Sequence, residues 1–544
     1  MVKALPIGVS DFAKVREQDS YYVDKTMLIA EWLKAQTEVT LITRPRRFGK
    51  TLNMTMLREF FDITKDSEAL FAGLAVQSTA YRQEMNQWPV IYLSFKDCKS
   101  HKQSSLLCII DLLLQVVDAL PKDMVLEESD AIRLKQIKQI LLDQEIDKMA
   151  HLDRTIYLVS KWLYNYYHKK VIILIDEYDT PLISAYEQGY YDEVHFFFGS
   201  LYGSALKDNP YLERAMLTGI HRIAKENIFS GLNNLEVCTV LEREYSAYFG
   251  LTPEEAEALL TYYDLPLDEA VKAMYDGYRF GEQEIYNPWS LINYAKRRKL
   301  EAFWVNTAAN DMLLQAVLAA DKRTQDHLEQ LLAAGQAMVT VDLQTSFFEM
   351  NKAATLWGLF MSSGYLTIAK TPAAEDLQMA VRIPNQEVMT SFRKIIERYA
   401  GFADNSLDEL FGALQRMDMA AFRSAYEQII LTCTSFHDGA SENAYHMLFL
   451  GMCVYLSGDY HIHSNLESGH GRADIVLAAK RPGKPNFVIE FKQGEAVDKL
   501  AQEALAQIHA KQYYAELTGE TILIGIAHDL KHCQLASETI ILKR

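Results

Sequence analysis

Between Tyr22 and about Val240, short runs of consecutive apolar residues alternate with longer stretches in which apolar positions recur every three or four residues. Four of the runs read as strands: Val39–Thr43, Val90–Ser94, Val171–Asp176 and Arg214–Thr218. Their nearly unbroken apolar character suits strands covered on both faces, so the pattern predicts an α/β domain with a mostly parallel sheet. From about Tyr245 to Ala369 the periodicity turns helical, with turns predicted at Tyr286-Asn287-Pro288 and near Ser362-Ser363-Gly364. A helical lid or winged-helix-like module fits that stretch. Ile383-Pro384-Asn385 reads as a linker or short edge. Beyond it, helical patterns over Ser391–Tyr399, Ser406–Arg416, Met419–Leu431 and Glu442–Leu456 lead into strand-like runs between His461 and Ile526. No repeat period appears, which disfavours a solenoid. The expected domains are 1–245, 246–385 and 386–544.

Length agrees with this division, because 544 residues exceed what a single core organises. MVKALPIGVSDF lacks the basic region and long apolar stretch of a signal peptide. The most apolar windows, Leu106–Leu120 and Met447–Leu456, are interrupted by Asp111 or too short to span a bilayer. Cys98, Cys108, Cys238, Cys433, Cys453 and Cys533 form no C-x-x-C pair, so neither a zinc site nor a disulfide framework is expected. A cytoplasmic protein without membrane contact is the resulting expectation. A net charge of −17 excludes a protein that coats nucleic acid by bulk electrostatics, and contact must be local. Of the basic clusters, Lys296–Lys299 reads as a solvated helix face, and the arginines at 44, 46 and 47 sit inside a motif.

That motif is Thr43–Thr51, TRPRRFGKT, between an apolar run and a helical pattern. Strand, loop and helix in this order aim backbone N–H groups and a helix N-terminus at an anion. Gly49, Lys50 and Thr51 supply the end of a P-loop, with Lys50 for the β/γ-phosphates of ATP and Thr51 for Mg²⁺. Arg44 stands where the usual pattern has its first glycine, which predicts a loop strained at that position. Arg46 and Arg47 are expected to offset this through charge-assisted phosphate contacts. A second strand ending in Asp176 and Glu177 completes the site, Asp176 on the metal side and Glu177 as general base for water. Thr218, at the end of a third strand, is the candidate γ-phosphate sensor, and Arg222 a charge stabiliser. Tyr22 and Asp24 are candidates to frame the adenine.

TRPRRFGKT, VIILIDEYDTPL, LTGIHRIAKENIFSGLNN and the early YYVDKT resemble the AAA-ATPase-like family of bacterial proteins, which commonly carry a C-terminal PD-(D/E)XK nuclease-like domain. The likeness covers roughly residues 5–245, and an arginine-rich loop is usual in that family. It implies ATP binding by Lys50 and Thr51, with Asp176 and Glu177 completing the site. Such ATPases often form rings, so a homo-oligomer is an expected partner.

Near the C-terminus, Gly471–Leu477, a turn at Arg481–Pro485 and Phe487–Lys492 read as a hairpin. Alternation along a strand projects Glu490 and Lys492 to one face and Phe491 to the other, and Asp474 on the partner strand can meet the first pair. Two carboxylates and a lysine on one face make a hard-cation site suited to phosphodiester hydrolysis. Lys492 would orient the water or stabilise developing charge. This Asp…Glu-x-Lys layout resembles the PD-(D/E)XK nucleases and their restriction-endonuclease-like α/β fold. The resemblance adds Glu442 as a further metal-facing acid, Gln507 with Tyr513 as a Q-x-x-x-x-x-Y variant, and more weakly Glu467 and His470. Residues 386–544 hold 15 Lys and Arg against 20 Asp and Glu, so strong phosphate-driven affinity is not encoded there in bulk. The combined reading is an ATPase coupled to Mg²⁺-dependent cleavage of nucleic acid, DNA ahead of RNA, in defence or mobile-element biology. Its rival is an ATP-dependent switch whose nuclease-like domain binds without cleaving.

Overall fold

The computed structural model describes residues 2–223, 232–304, 323–324, 327–328, 330–331, 335–345, 352–370, 378–391, 406–432, 449, 452–456, 459–468, 471–529 and 532–542, without the side chains of 345, 432, 464–468 and 471–472. The chain folds as two compact units, one of residues 1–305, 340–379 and 384–387, the other of 306–339, 380–383 and 388–544.

The first unit is built on five parallel strands: β1 Val39–Thr43, β2 Val90–Ser94, β3 Val171–Asp176, β4 Leu212–Gly219 and β5 Leu235–Cys238. Their order is β2-β3-β4-β1-β5, which places β1 and β3 either side of β4. Every residue of β1 and β3 is buried, and successive residues of β3 enter different cores. Ile173 and Ile175 join one with the helices α2 Lys102–Asp118 and α3 Thr155–Tyr167, whereas Ile172 and Leu174 join one with α1 Lys50–Phe61. Each such side chain, fully buried, contributes about 1.5–3 kcal/mol. β5 escapes the sequence pattern because Leu-Glu-Val-Cys is short and only Cys238 is fully buried.

Residues 278–285 differ from the helical expectation. Tyr278–Phe280 and Gln283–Ile285 pair as an antiparallel hairpin. Gly277 and Gly281, at φ +106° and +54°, permit it, and a Cβ at Gly281 would lie 2.7 Å from the Glu242 carbonyl. The next helix, α4 Pro288–Arg297, starts at the predicted turn because the Asn287 side chain accepts from the N–H groups of Trp289 and Ser290 at 2.9 and 3.3 Å. Lys296, Arg297, Arg298 and Lys299 are exposed at its end, and Glu301 pairs with Arg297 and Lys299 at 3.5 and 3.2 Å. The cysteine expectation also fails at one place: Cys98 and Cys108 form a disulfide, their Cα atoms 5.4 Å apart. Spacing hid this pair, because a strand-end loop and the first turns of α2 bring the residues together.

The second unit carries the mixed sheet β6 Tyr460–Ser468, β7 Gly471–Ala479, β8 Asn486–Gln493, β9 Gly519–His528 and β10 Cys533–Leu542, in that order. All neighbours are antiparallel except β8 and β9, which are parallel and joined through the helix α5 Val497–Lys511. Ile475, Ile489 and Phe491 pack on one face with Phe422 and Tyr426 of the helix Met419–Thr432. Val476 and Val488 pack on the other with Ile508 of α5. The helix lies tight on the sheet at Gly525, where a Cβ would overlap the backbone of Ala501 and Leu505. Among the described residues, no helix is long and apolar enough to cross a membrane.

Candidate functional sites

In the first unit the ends of β2, β3 and β4 and the start of α1 converge on Asp176. Its Oδ2 accepts from the hydroxyls of Thr51 at 2.8 Å and Ser94 at 3.0 Å, and its Oδ1 from Thr218 at 2.7 Å. Burial, then the charge of Glu177, raises this carboxyl above its ordinary range, and the Thr218 and Thr51 hydroxyls and Lys50 work against that rise. Ser94 belongs to the cluster although no motif marks it; the available signal was a hydroxyl residue ending the strand next to β3.

Lys50 is 3% exposed, and its Nζ donates to the carbonyls of Arg44 at 3.0 Å and Pro45 at 3.2 Å. It also lies 3.3 Å from Glu177 Oε1. Glu177 itself takes φ 53°, a left-handed conformation costly for a residue with a side chain. Gly49, at φ +83°, leads into α1.

Arg44 corrects the expectation of strain at the missing glycine. The positive φ values of the loop fall on Arg47 (70°) and Gly49 (83°), and Arg44 is not among them. Its guanidinium is fully buried, with Nη1 donating to the carbonyls of Thr43, Cys238 and Thr239 at 2.9, 2.8 and 2.6 Å. It also stands 5.7 and 5.2 Å from the ring centres of Phe249 and Phe280. Burial lowers it to about 10, so it stays charged at neutral pH. Arg44 therefore ties the ends of β1 and β5 together instead of facing a phosphate.

Arg47 donates to the Phe303 carbonyl at 3.1 Å and stacks 4.3 Å above the Trp289 ring. Arg46 is half-buried, and its charge, with that of Lys50, helps to depress His221, for which burial is the larger cause. Arg222 opens a two-residue strand, Arg222–Ile223, paired with Gln344–Thr345. Asp24 accepts from Thr26 N in its own turn at 2.8 Å and from the distant Ala75 N at 2.7 Å. Tyr22 lines a cavity of about 80 Å³ with Gly49, Leu52, Asn53, Tyr248, Leu251 and others.

In the second unit, Asp474 and Glu490 face α5 from adjacent strands. Asp474 Oδ2 accepts from Phe491 N at 2.8 Å, and Asp474 N reaches Glu490 Oε2 at 3.4 Å. Glu490 is 3% exposed and accepts through Oε1 from the Gln507 amide, which also contacts the Tyr513 hydroxyl at 3.2 Å. Lys492 Nζ stands 3.9 Å from Glu490 Oε1, at the outer end of this row. Phe491 points into the opposite core. Burial raises the Tyr513 hydroxyl, and Glu490 and Asp474 add to that rise while Gln507 opposes it. Glu442 and His470 lie outside the described residues, as does the Glu467 side chain. No group of three or more His, Cys, Asp or Glu side chains with metal-holding geometry occurs among the described residues. Two oxygen donors of hard character, Asp474 and Glu490, do stand together, and that donor set fits Mg²⁺.

Residues 6–229 match the family model described as predicted AAA-ATPase, and residues 440–538 match that of the PD-(D/E)XK nuclease superfamily. An uncharacterized protein in the vnfD 5′ region of Azotobacter chroococcum mcd 1 is 28% identical over 528 residues, spanning 94% of this chain and 93% of that protein. The chain thus joins an AAA-ATPase-like region, holding the Asp176 cluster, to a C-terminal region of the PD-(D/E)XK nuclease superfamily that holds Asp474 and Glu490.

Proposed function

We propose that this protein binds and hydrolyses ATP and uses the nucleotide state to control Mg²⁺-dependent phosphodiester cleavage of nucleic acid, DNA ahead of RNA. The observation that supports it is two separate clusters of phosphate chemistry in one chain, Lys50-Thr51-Asp176-Thr218 and Asp474-Glu490-Lys492.

In the first cluster, Lys50 exchanges the carbonyls of Arg44 and Pro45 for phosphate oxygens, which releases Glu177 from its ion pair to take a proton from water. Thr218 reads the terminal phosphate, and Gly49 lets the backbone approach it. The cavity lined by Tyr22, Leu52 and Tyr248 beside Gly49 would receive the base on widening beyond its volume of about 80 Å³. Thr51 and Asp176 would hold Mg²⁺ there, and Asp474 and Glu490 would hold it in the second unit. Bound at either place, the ion supplies positive charge to phosphate oxygens and acidifies a water. In the second unit Gln507 keeps the Glu490 carboxylate turned to the site, and Lys492 orients the attacking water or stabilises the charge that develops on the phosphoryl oxygens as the sugar oxygen leaves. Role and setting follow the combined reading, in defence or mobile-element biology.

ATP turnover with Mg²⁺ should be measurable in the purified chain and should fall by about 10²-fold or more in Lys50→Ala. Turnover that survives this change unaltered would sink the ATPase assignment. Tight ATP binding without hydrolysis, together with no cleavage of DNA or RNA under any divalent metal, would turn the reading to a nucleotide-dependent switch.

A further inference from the structure

Asp179, three residues beyond Asp176, plays no part in the scheme above. It is fully buried, at the junction between β3 and the helix Thr180–Glu187. Its Oδ2 accepts from the backbone N–H groups of Ile220 and His221, at 2.9 and 2.8 Å. Its Oδ1 makes no hydrogen bond and presses on Gly219, where a Cβ would lie 2.7 Å from it. The adjacent Tyr178 closes on the same turn: its hydroxyl donates to the His221 carbonyl at 2.6 Å and accepts from Ile223 N at 3.1 Å. Tyr178 N completes the contact by donating to the Thr218 carbonyl at 2.9 Å. Residues 178 and 179 therefore grip every position from 218 to 223 except Arg222, the residue that the grip holds in place.

A role in stability alone does not account for a carboxylate here. A neutral Asn could accept from the same two N–H groups, but bonds to a carboxylate are roughly twice as strong and hold the turn more firmly, whereas a buried charge with one oxygen unbonded carries a desolvation cost that cancels the gain in stability. That cost is visible as a carboxyl raised to about 6 by burial, then by Glu177, with the His221 and Ile220 N–H groups and Lys50 pulling the other way. The remaining neighbours of Asp179 on these elements are Tyr178, Tyr202 and His221, so its charge stands in the same field as Lys50 and Glu177. Residues that lower stability for the sake of a site are expected where function needs them.

We propose that Asp179 is a positioning residue for ATP hydrolysis: it fixes the 219–222 turn against the strand end that carries Glu177, so that Thr218 and Arg222 keep their places relative to Asp176. The inference rests on the ATPase reading of the first unit. It assigns to the second half of Asp176-Glu177-Tyr178-Asp179 a task separate from metal holding and proton transfer.

Steady-state ATP hydrolysis by the full chain tests it, with wild type, Lys50→Ala, Asp179→Asn and Tyr178→Phe compared side by side. Asp179→Asn keeps the size and the acceptor oxygen and removes the charge; kcat should fall about 10-fold or more while KM for ATP stays within about 2-fold and Tm does not drop. Tyr178→Phe should show a smaller loss of the same kind, and it carries the test if the Asn variant fails to fold. An unchanged kcat in Asp179→Asn overturns the proposal, as does a loss of kcat accompanied by an equal rise in KM and a lower Tm. Absence of turnover in wild type removes the ATPase reading itself, whereas turnover that is sensitive to Lys50→Ala but indifferent to Asp179 removes only this inference.

Discussion

Arg44→Gly, which restores the glycine of an ordinary P-loop, is expected to destabilise the first unit by about 3–5 kcal/mol and to leave ATP affinity no better. Intuition from the motif runs the other way. The guanidinium satisfies the carbonyls of Thr43, Cys238 and Thr239, all at the buried ends of β1 and β5. Leaving one buried acceptor unpaired costs about 1–3 kcal/mol, and a glycine leaves up to three in a space that the side chain filled. Contact with Phe249 and Phe280 is lost as well, at about 0.5–2 kcal/mol for a desolvated cation over rings. Against this stands the cost of burying the guanidinium, which the variant escapes and which the depressed value of about 10 reflects. Added chain freedom in the unfolded state further favours unfolding of the glycine variant. Urea titration followed by tryptophan fluorescence should show the lower midpoint, Trp32 and Trp162 being buried in this unit. A glycine variant as stable as wild type that also binds ATP more tightly would show that the phosphate loop, not the strand ends, is what Arg44 serves.

Asp474→Asn and Lys492→Ala should each remove metal-dependent cleavage of labelled DNA, by about 10³-fold or more, without loss of fold. Asn at 474 retains an oxygen for Phe491 N, so the hairpin keeps the 2.8 Å bond that orders it, while the negative charge is gone. Lys492 is partly exposed and 3.9 Å from Glu490, whose buried Oε1 still accepts from the Gln507 amide once the lysine is gone. The two variants therefore separate charge from architecture. If ATP hydrolysis is unaltered in both while cleavage disappears, the two chemistries reside in different units. Undiminished cleavage in either variant would remove the nuclease assignment.

Much of this was legible in the chain. β1 and β3 follow from apolar runs because strands covered on both faces have nowhere to show polarity. Alternation alone gave the opposite facing of Glu490 and Phe491. What stayed hidden depends on neighbours that only folding supplies. Ser94 and Asp179 belong to the Asp176 neighbourhood by strand order and by contact with Gly219, and neither feature has a spacing in the sequence. Arg44 was misread because a motif compares letters at a position, whereas the acceptors that hold its side chain lie near residue 238, almost two hundred residues away. The hairpin at 278–285 was lost among helical periodicities because its strands are three residues each, too short to show a period of two.

The close seat of α5 on Gly525 has a consequence for Gln507. Backbone touches backbone at Ala501 and Leu505, so the helix cannot roll on the sheet, and its azimuth is locked less than two turns before Gln507. Each residue of an α-helix advances the azimuth by about 100°. One residue inserted between 505 and 507 would swing the amide away from Glu490 while the seat at Gly525 stayed engaged. A chain lengthened between Leu505 and Gln507 would therefore need a different side chain to reach the carboxylate.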